Sequence, residues 1–287
     1  MVHLPVMLRE TMDLLGPERG GVFLDATVGM GGHAVEALGK MAGKGLLIGI
    51  DRDDNALKAA RDKLGSEHVV LKKARFSELG GVLDGLGIAN VNGALFDLGV
   101  SMPQLKVLER GFSFQSEGPL DMRMDPAAEL TAADVVNTYS EKELERILRE
   151  YGEERFSKRI ARMIVQRRPI QSAQELAGLV SGVYRKRGKT HPATRAFQAL
   201  RIEVNSELAE LEAGLAAASG RLAAGGRLVV ISYHSLEDRI VKHFFRGAQA
   251  RGEARILTKK PLTPGDAEVR ENPAARSAKL RALERAA

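Results

Sequence analysis

Three aspartates close short apolar runs, and each run is punctuated by residues that turn the chain. Val22-Phe-Leu-Asp-Ala-Thr27 contains Asp25 and runs into the glycine cluster Gly29-Met-Gly-Gly-His33. Leu46-Leu-Ile-Gly-Ile-Asp51 places a second carboxylate roughly twenty residues beyond Gly29, the separation at which an acid accepts the hydroxyls of an adenosine ribose. Asp97 ends a third run, Val91 to Asp97. Strand, glycine turn, helix and acid-ended strand form an arrangement that binds an adenosine cofactor, because glycines let the ligand approach the backbone. Gly29-x-Gly31-x-x-Ala34 formally fits the dinucleotide pattern. Asp25 opposes that reading, since its carboxylate would repel a pyrophosphate. It would attract the ammonium and sulfonium of S-adenosylmethionine, which is therefore the favoured cofactor. A plain strand-to-helix connection is the structural alternative.

The reaction would then be methyl transfer. An exocyclic amine on a nucleobase is a poor nucleophile, because its lone pair is conjugated into the ring. A carboxylate accepting an N–H hydrogen bond favours the pyramidal, reactive amine, and Asp97 is the candidate. Capping of the next turn is the structural alternative. The chain has no cysteine, which excludes the covalent thiolate route to carbon 5 of a pyrimidine, disulfides and cysteine-held metal clusters. The Asn/Asp/Ser-Pro-Pro-aromatic signature of many amino-methyltransferases is absent, so Asp97-Leu-Gly-Val-Ser101 would have to replace it. Ser232-Tyr-His-Ser-Leu-Glu-Asp-Arg239 follows a late strand that should reach the same edge. Tyr233 or His234 could stack on or hydrogen-bond a flipped base, although His234 could equally cap a helix. Asp97, Ser101 and His234 are thus the catalytic candidates. No Gly-x-Ser-x-Gly elbow supports a hydrolase triad. The six histidines are too scattered to ligate a metal, and none is expected.

These residues need a scaffold. The first hundred positions alternate strand and helix: a helix from about His33 to Met41, another over Asp53–Leu64, strands over His68–Lys73 and Val91–Asp97. From Lys106 to Asn205 no strand pattern appears. Ser140-x-x-Glu143 and Ser172-x-x-Glu175 read as capping boxes, and Pro169 ends the helix before the second. Strand character returns over Gly226–His234, followed by a helix over Ser235–Gly247 and strands at Arg255–Lys259 and near the C-terminus. The expected fold is α/β, a Rossmann-like methyltransferase sheet with an inserted all-helical domain. Its parts are residues 1–106, a helical insertion at 107–207 for substrate recognition, and 208–287 with a basic tail.

With 44% hydrophobic residues the chain can build a real core, which excludes intrinsic disorder. No apolar run reaches bilayer length, and the first ten residues are too polar for a signal peptide, so a cytoplasmic location with no membrane partner is expected. The net charge of +6 is uneven. Residues 151–205 carry +8 and 239–287 carry +7, against −6 for residues 1–150. Two basic stretches on an acidic body fit a polyanion, although solvated helix faces would look the same. Arg185, Lys186, Arg187 and Lys189 in the insertion, with Arg276, Lys279 and Arg281 in the tail, are the candidate phosphate contacts.

Several segments in order carry a resemblance to a known family. They are His3-x-Pro-Val6, Asp25-Ala-Thr-Val-Gly-Met-Gly-Gly-His33, Asp97-Leu-Gly-Val-Ser101, Arg110-Gly-Phe-Ser-Phe114 and Gly118-Pro-Leu-Asp-Met-Arg-Met-Asp125. His191-Pro-Ala-Thr-Arg-Ala-Phe-Gln-Ala-Leu-Arg201, Ser232-Tyr-His-Ser-Leu-Glu-Asp-Arg239 and Glu271-Asn-Pro-Ala-Ala-Arg-Ser-Ala-Lys-Leu-Arg281 continue it. Over essentially its whole length the chain resembles the bacterial small-subunit ribosomal RNA cytosine-N4 methyltransferases, the MraW or RsmH family. The resemblance implies S-adenosylmethionine as donor and a cytidine in the decoding region of 16S ribosomal RNA as acceptor. It implies a cofactor site with Gly31, Gly32, His33, Asp51, Phe76, Asp97 and Gln104, to which the residues themselves add Asp25 and Gly29. Tyr233 stands where many relatives have phenylalanine. The expected partner is small-subunit ribosomal RNA within the small ribosomal subunit, with a homodimer left open. A nicotinamide-dependent oxidoreductase and a non-catalytic RNA-binding assembly factor are the competing readings.

Overall fold

The computed structural model describes residues 4–65, 67–100, 107–184 and 190–287. Its elements in chain order are α1 (Leu8–Leu15), β1 (Gly21–Asp25), α2 (Gly32–Met41), β2 (Gly45–Asp51), α3 (Asp54–Leu64), β3 (Val69–Lys73), α4 (Leu79–Gly85) and β4 (Val91–Asp97). Next come α5 (Ala132–Thr138), α6 (Glu141–Glu150), α7 (Ser157–Arg167), α8 (Ala173–Ser181), α9 (Thr194–Asn205) and α10 (Glu207–Gly220). The chain ends with β5 (Leu222–Ser232), α11 (Ser235–Ala250), β6 (Ala254–Ile256), α12 (Asp266–Glu271) and β7 (Lys279–Arg285). It divides into two compact units, one of Met1–Gly99 with Leu208–Ala287 and one of Val100–Glu207. The first boundary therefore falls after Gly99, where the sequence suggested residue 106.

The first unit is a seven-stranded Rossmann-like sheet of order β3-β2-β1-β4-β5-β7-β6. Neighbours from β3 to β5 pair in parallel, whereas β7 runs antiparallel to both β5 and β6. Central parallel strands are covered on both faces, so they read as unbroken apolar runs. Their side chains nevertheless alternate. Leu24, Ile48, Phe96 and Val230 enter one core with Leu211, Leu215, Val241 and Phe245. Phe23, Leu47, Leu95 and Val229 enter the other with Met12, Leu15, Ala37 and Met41. Local signals set the helix ends. The Asp53 side chain accepts from the Asn55 amide to open α3, and Gly65 (φ +73°) closes it.

Two local expectations change. β5 begins at Leu222, not Gly226, because its pairing with β4 shifts register between Val91 and Gly93. Gly225 (φ +70°) lies in that irregular stretch and reads, in sequence, as a break. Ser140 and Glu143 form the complete capping box on α6. Ser172 accepts from the Glu175 amide, but the Glu175 carboxylate turns to the Gln171 amide, so that box is half formed.

Helices α5 to α9 of the second unit surround their own core, with Val135, Leu144, Ile147, Ile160, Leu176, Phe197 and Leu200 at its centre. Its described residues contain no strand, only an isolated bridge from Pro119 to Ser172. The Gly118–Asp125 segment is held from within. Arg123 binds both carboxylate oxygens of Asp121, and the Asn205 side chain accepts from the Met124 amide and donates to the Met122 carbonyl. No described helix is long and apolar enough to cross a membrane.

The basic tail is corrected at one position. Arg281 sits in β7 between two strands and is 8% exposed. Its Nε donates to Asp238 Oδ1 at 2.6 Å, and Lys279 Nζ reaches Asp238 Oδ2 at 3.4 Å. Burial alone would raise the Asp238 carboxyl, but the Arg281 hydrogen bond and the two cations hold it below the ordinary carboxylate range. Arg281 is thus committed to a buried ion pair and unavailable to a phosphate, while Arg276 remains exposed. Arg281→Ala is expected to lower unfolding free energy by roughly 1.5–3 kcal/mol, because it leaves the half-buried Asp238 carboxylate with only the more distant Lys279. Denaturant titration of this variant and of Arg281→Ala/Asp238→Ala checks it: the double variant should lose less than the single.

Candidate active site at the carboxyl edge of the sheet

Strands β2, β1 and β4 are neighbours and parallel, so their last residues Asp51, Asp25 and Asp97 end on one edge of the sheet. From β1 the chain moves outward to β2 and β3, then returns past β1 to β4 and β5. The reversal leaves a crevice beyond β1 and β4, the usual ligand position in open α/β sheets.

Each carboxylate is held by the backbone around it. Asp51 Oδ2 accepts from the Gly29 amide at 3.0 Å and Oδ1 from the Asp53 amide at 2.9 Å, which ties the glycine turn to the end of β2. Gly29 (φ +49°) and Gly31 (φ +76°) adopt the left-handed backbone that this turn requires. A Cβ on Gly32 would stand 2.9 Å from Pro5 Cγ, so the N-terminal segment packs directly on the turn. Asp25 Oδ1 accepts from the Thr27 amide at 3.1 Å and its hydroxyl at 3.4 Å. The same Thr27 oxygen accepts from the Asp97 amide at 2.6 Å, clasping β1 to β4.

Asp97 is approached from two further directions. The Tyr233 hydroxyl donates to Oδ1 at 2.7 Å, and His33 Nδ1 lies 3.6 Å from Oδ2. Burial and the Asp97 charge push the Tyr233 phenol far above its ordinary range, so it stays a neutral donor. His33 Nε2 is 3.0 Å from the Val6 carbonyl. A carbonyl only accepts, so Nε2 carries the proton and Nδ1 presents a lone pair toward Asp97. Burial lowers the His33 pKa, against the pull of Asp25, and keeps the ring neutral. The N-terminal segment is anchored in turn, by the Met7 amide on Glu268 and the Asn272 side chain on the Leu4 carbonyl.

Asp25 is buried, 4% exposed, without a cationic side chain on it: among the described residues no lysine or arginine pairs with it. Burial pushes its carboxyl up to about 6, with Asp97 and Asp51 adding to the rise and His33 and the Thr27 amide opposing it.

The other candidates fall in different places. Phe76 is half-buried just beyond β3, with its ring edge-on to Phe96 at 5.1 Å and the Arg52 guanidinium 5.7 Å from its centre. His234 caps α11: its Nδ1 accepts from the Glu237 amide at 3.3 Å, and Glu237 Oε2 accepts in return from the Tyr233 amide at 2.8 Å. The His234 Nε2 lies 3.2 Å from Glu237 Oε1 without a hydrogen bond's alignment. These contacts give His234 a helix-capping place; none joins it to Asp97. Lys279 is half-buried beside Asp238. Ser101, Gln104, Arg185, Lys186, Arg187 and Lys189 lie outside the described residues. Sequence reasoning missed Thr27 and Glu237, as well as the Tyr233 hydroxyl's place on Asp97. A threonine two residues after a strand-ending aspartate was the available signal for the first, since such pairs form local side-chain turns.

The raised Asp25 pKa has a thermodynamic consequence. Well below pH 3.8 the group is protonated folded or unfolded, but above about 6 the folded protein must bury its charge. Asp25→Asn should therefore gain on the wild type as the pH rises, by about 1 kcal/mol at pH 4.5 and by up to roughly 3 kcal/mol above pH 6. Urea titrations at pH 4.5 and 7.5 check this, and a variant less stable at pH 7.5 would contradict it.

The sequence profile of the MraW methylase family matches residues 1–286. The chain is 50% identical to the ribosomal RNA small subunit methyltransferase H of Pelobacter propionicus, over 99% of this chain and 98% of that protein. It is 48% identical to the protein of that name from Heliobacterium modesticaldum, over 99% and 98% of the two chains. The Persephonella marina protein of the same name is 49% identical over 99% of both. Matches over 99% of the chain span both compact units. The chain belongs to the MraW methylase family.

Proposed function

We propose that the chain is an S-adenosylmethionine-dependent methyltransferase acting on the exocyclic N4 amine of a cytidine in the decoding region of 16S ribosomal RNA. The relatives named above, all ribosomal RNA small subunit methyltransferases, support the substrate class. The observation that carries the chemistry is the buried, cation-free Asp25 between Asp51 and Asp97 at the glycine turn. Three acids around one crevice fit a cationic ligand and would repel a pyrophosphate. The turn is also open: a Cβ on Gly29 would meet only the Thr27 carbonyl, at 3.7 Å.

S-Adenosylmethionine, when bound, supplies an electrophilic methyl group on a positively charged sulfur. Asp51 accepts the ribose hydroxyls on lone pairs that the Gly29 and Asp53 amides leave free. Gly29, Gly31, Gly32 and His33 form the turn beneath, Phe76 offers an aromatic surface to the adenine, and the family resemblance adds Gln104 as a cofactor contact. Asp25 offsets the cation's charge. Asp97 accepts an N–H of the target amine and releases its lone pair for in-line attack, with the reacting groups held in place rather than activated by an acid. The proton lost by the amine passes to Asp97. The bare Nδ1 of His33, 3.6 Å from Asp97 Oδ2, is the next acceptor. Ser101 follows on the Asp97 segment, and Arg185, Lys186, Arg187, Lys189 and the exposed Arg276 hold RNA phosphates.

Incubating the protein with small ribosomal subunits and methyl-labelled S-adenosylmethionine tests the reading; label should appear on one cytidine, and unlabelled RNA would refute it. Asp51→Ala should weaken cofactor binding in calorimetry by about 10- to 150-fold, the loss of charge-assisted hydrogen bonds worth about 1.5–3 kcal/mol. Asp97→Asn keeps the size but weakens the acceptor. At saturating donor it should slow single-turnover methyl transfer far more than it weakens RNA binding, and equal rates would remove the carboxylate from the chemistry.

A further inference from the structure

Two segments of the helical unit, Arg110-Gly-Phe-Ser-Phe114 and the start of His191–Arg201, have no part in the sheet-edge site, yet they meet. The rings of Phe114 and His191 are stacked, their centroids 4.5 Å apart and their planes 15° from parallel. Phe197, 5% exposed on α9, backs Phe114 edge-on at 4.7 Å and 78°. Burial falls outward through this column: Phe197 is in the core, Phe114 half-buried and His191 exposed.

The outermost ring is locked. The Ala193 amide donates to His191 Nδ1 at 3.2 Å. An amide only donates, so Nδ1 is bare and the proton sits on Nε2. Phe114 covers one face of the flat imidazole, and the residue as a whole is exposed. Holding an exposed side chain this way removes rotamer freedom that binding would otherwise have to remove. Charge complements the surface. Residues 151–205 carry +8. Arg195, exposed in the first turn of α9, donates to the Glu153 carbonyl, a neutral acceptor that fixes the guanidinium without cancelling its charge. A flat aromatic face, with a fixed cation four residues along the chain, is the chemistry that takes a base and a phosphate.

We propose that the Phe114–His191 stack is a platform for one unpaired nucleobase of the RNA substrate, with Arg195 on an adjoining phosphate. The inference rests on the RNA-methyltransferase reading above and adds a contact which that reading does not contain. The base continues the column on the open face of His191, and Nε2–H is free to donate to it or to its backbone.

The test uses the full chain and a short single-stranded, cytidine-rich RNA carrying one 2-aminopurine, titrated at several salt concentrations. His191→Ala should weaken binding by about 5- to 150-fold, the range for losing one stacked base, with an unchanged salt slope. His191→Phe, which keeps a flat ring, should restore most of the affinity. Arg195→Ala should instead flatten the salt slope by about 0.7. Binding by His191→Ala within twofold of the wild type, or failure of His191→Phe to restore it, would overturn the platform. Methylation of small subunits by the wild type is measured in parallel. Label transfer with unaltered RNA affinity in His191→Ala rejects the platform alone, whereas absent label rejects the methyltransferase reading.

Discussion

Parallel strands that share a direction must share an edge, and in this sheet three adjacent ones end in aspartate. That convergence of like charge is the constraint on which the rest of the first unit turns. Asp51, Asp25 and Asp97 would repel one another and resist leaving water unless donors met them. Amides of Gly29 and Asp53 meet Asp51, the Thr27 amide meets Asp25, and the Tyr233 hydroxyl meets Asp97. The compensation is incomplete at Asp25, whose carboxyl is pushed up to about 6. An incompletely compensated acid destabilises the fold at neutral pH and attracts a cationic ligand for the same reason.

Asp97 shows how much of the chain one side chain recruits. Its amide is held by Thr27 of the β1 turn, one oxygen by Tyr233 after β5, and the other faces His33 at the start of α2. His33 is oriented by Val6, and that segment is anchored by Glu268 and Asn272 near the C-terminus. The site therefore forms only when both stretches of the first unit, before and after the helical segment, have paired through β4 and β5.

In the helical unit, the Gly118–Asp125 segment satisfies its own polar groups through Asp121, Arg123 and Asn205, which fixes a loop without secondary structure. The Phe114–His191 column differs in kind, because its outer ring is ordered yet left open to solvent.

The strand-turn-helix-strand order, the acids at the strand ends and the all-helical middle segment were legible in the residues. Each depends on neighbours within a turn or a strand: apolar runs, glycines that permit positive φ, and caps such as Asp53 and Ser140. Contacts set by register were not legible. Tyr233 looked like a stacking residue, but its hydroxyl meets Asp97 across 136 positions once β5 pairs with β4. Arg281 looked like a phosphate contact, and pairing of β7 between β5 and β6 buries it on Asp238. His234, offered as a catalytic candidate or a helix cap, caps α11 through its Nδ1. A sequence determines which groups exist and how they space along one element. Which group a buried charge faces is decided by strand pairing, since a two-residue step in register moves each side chain to a different partner.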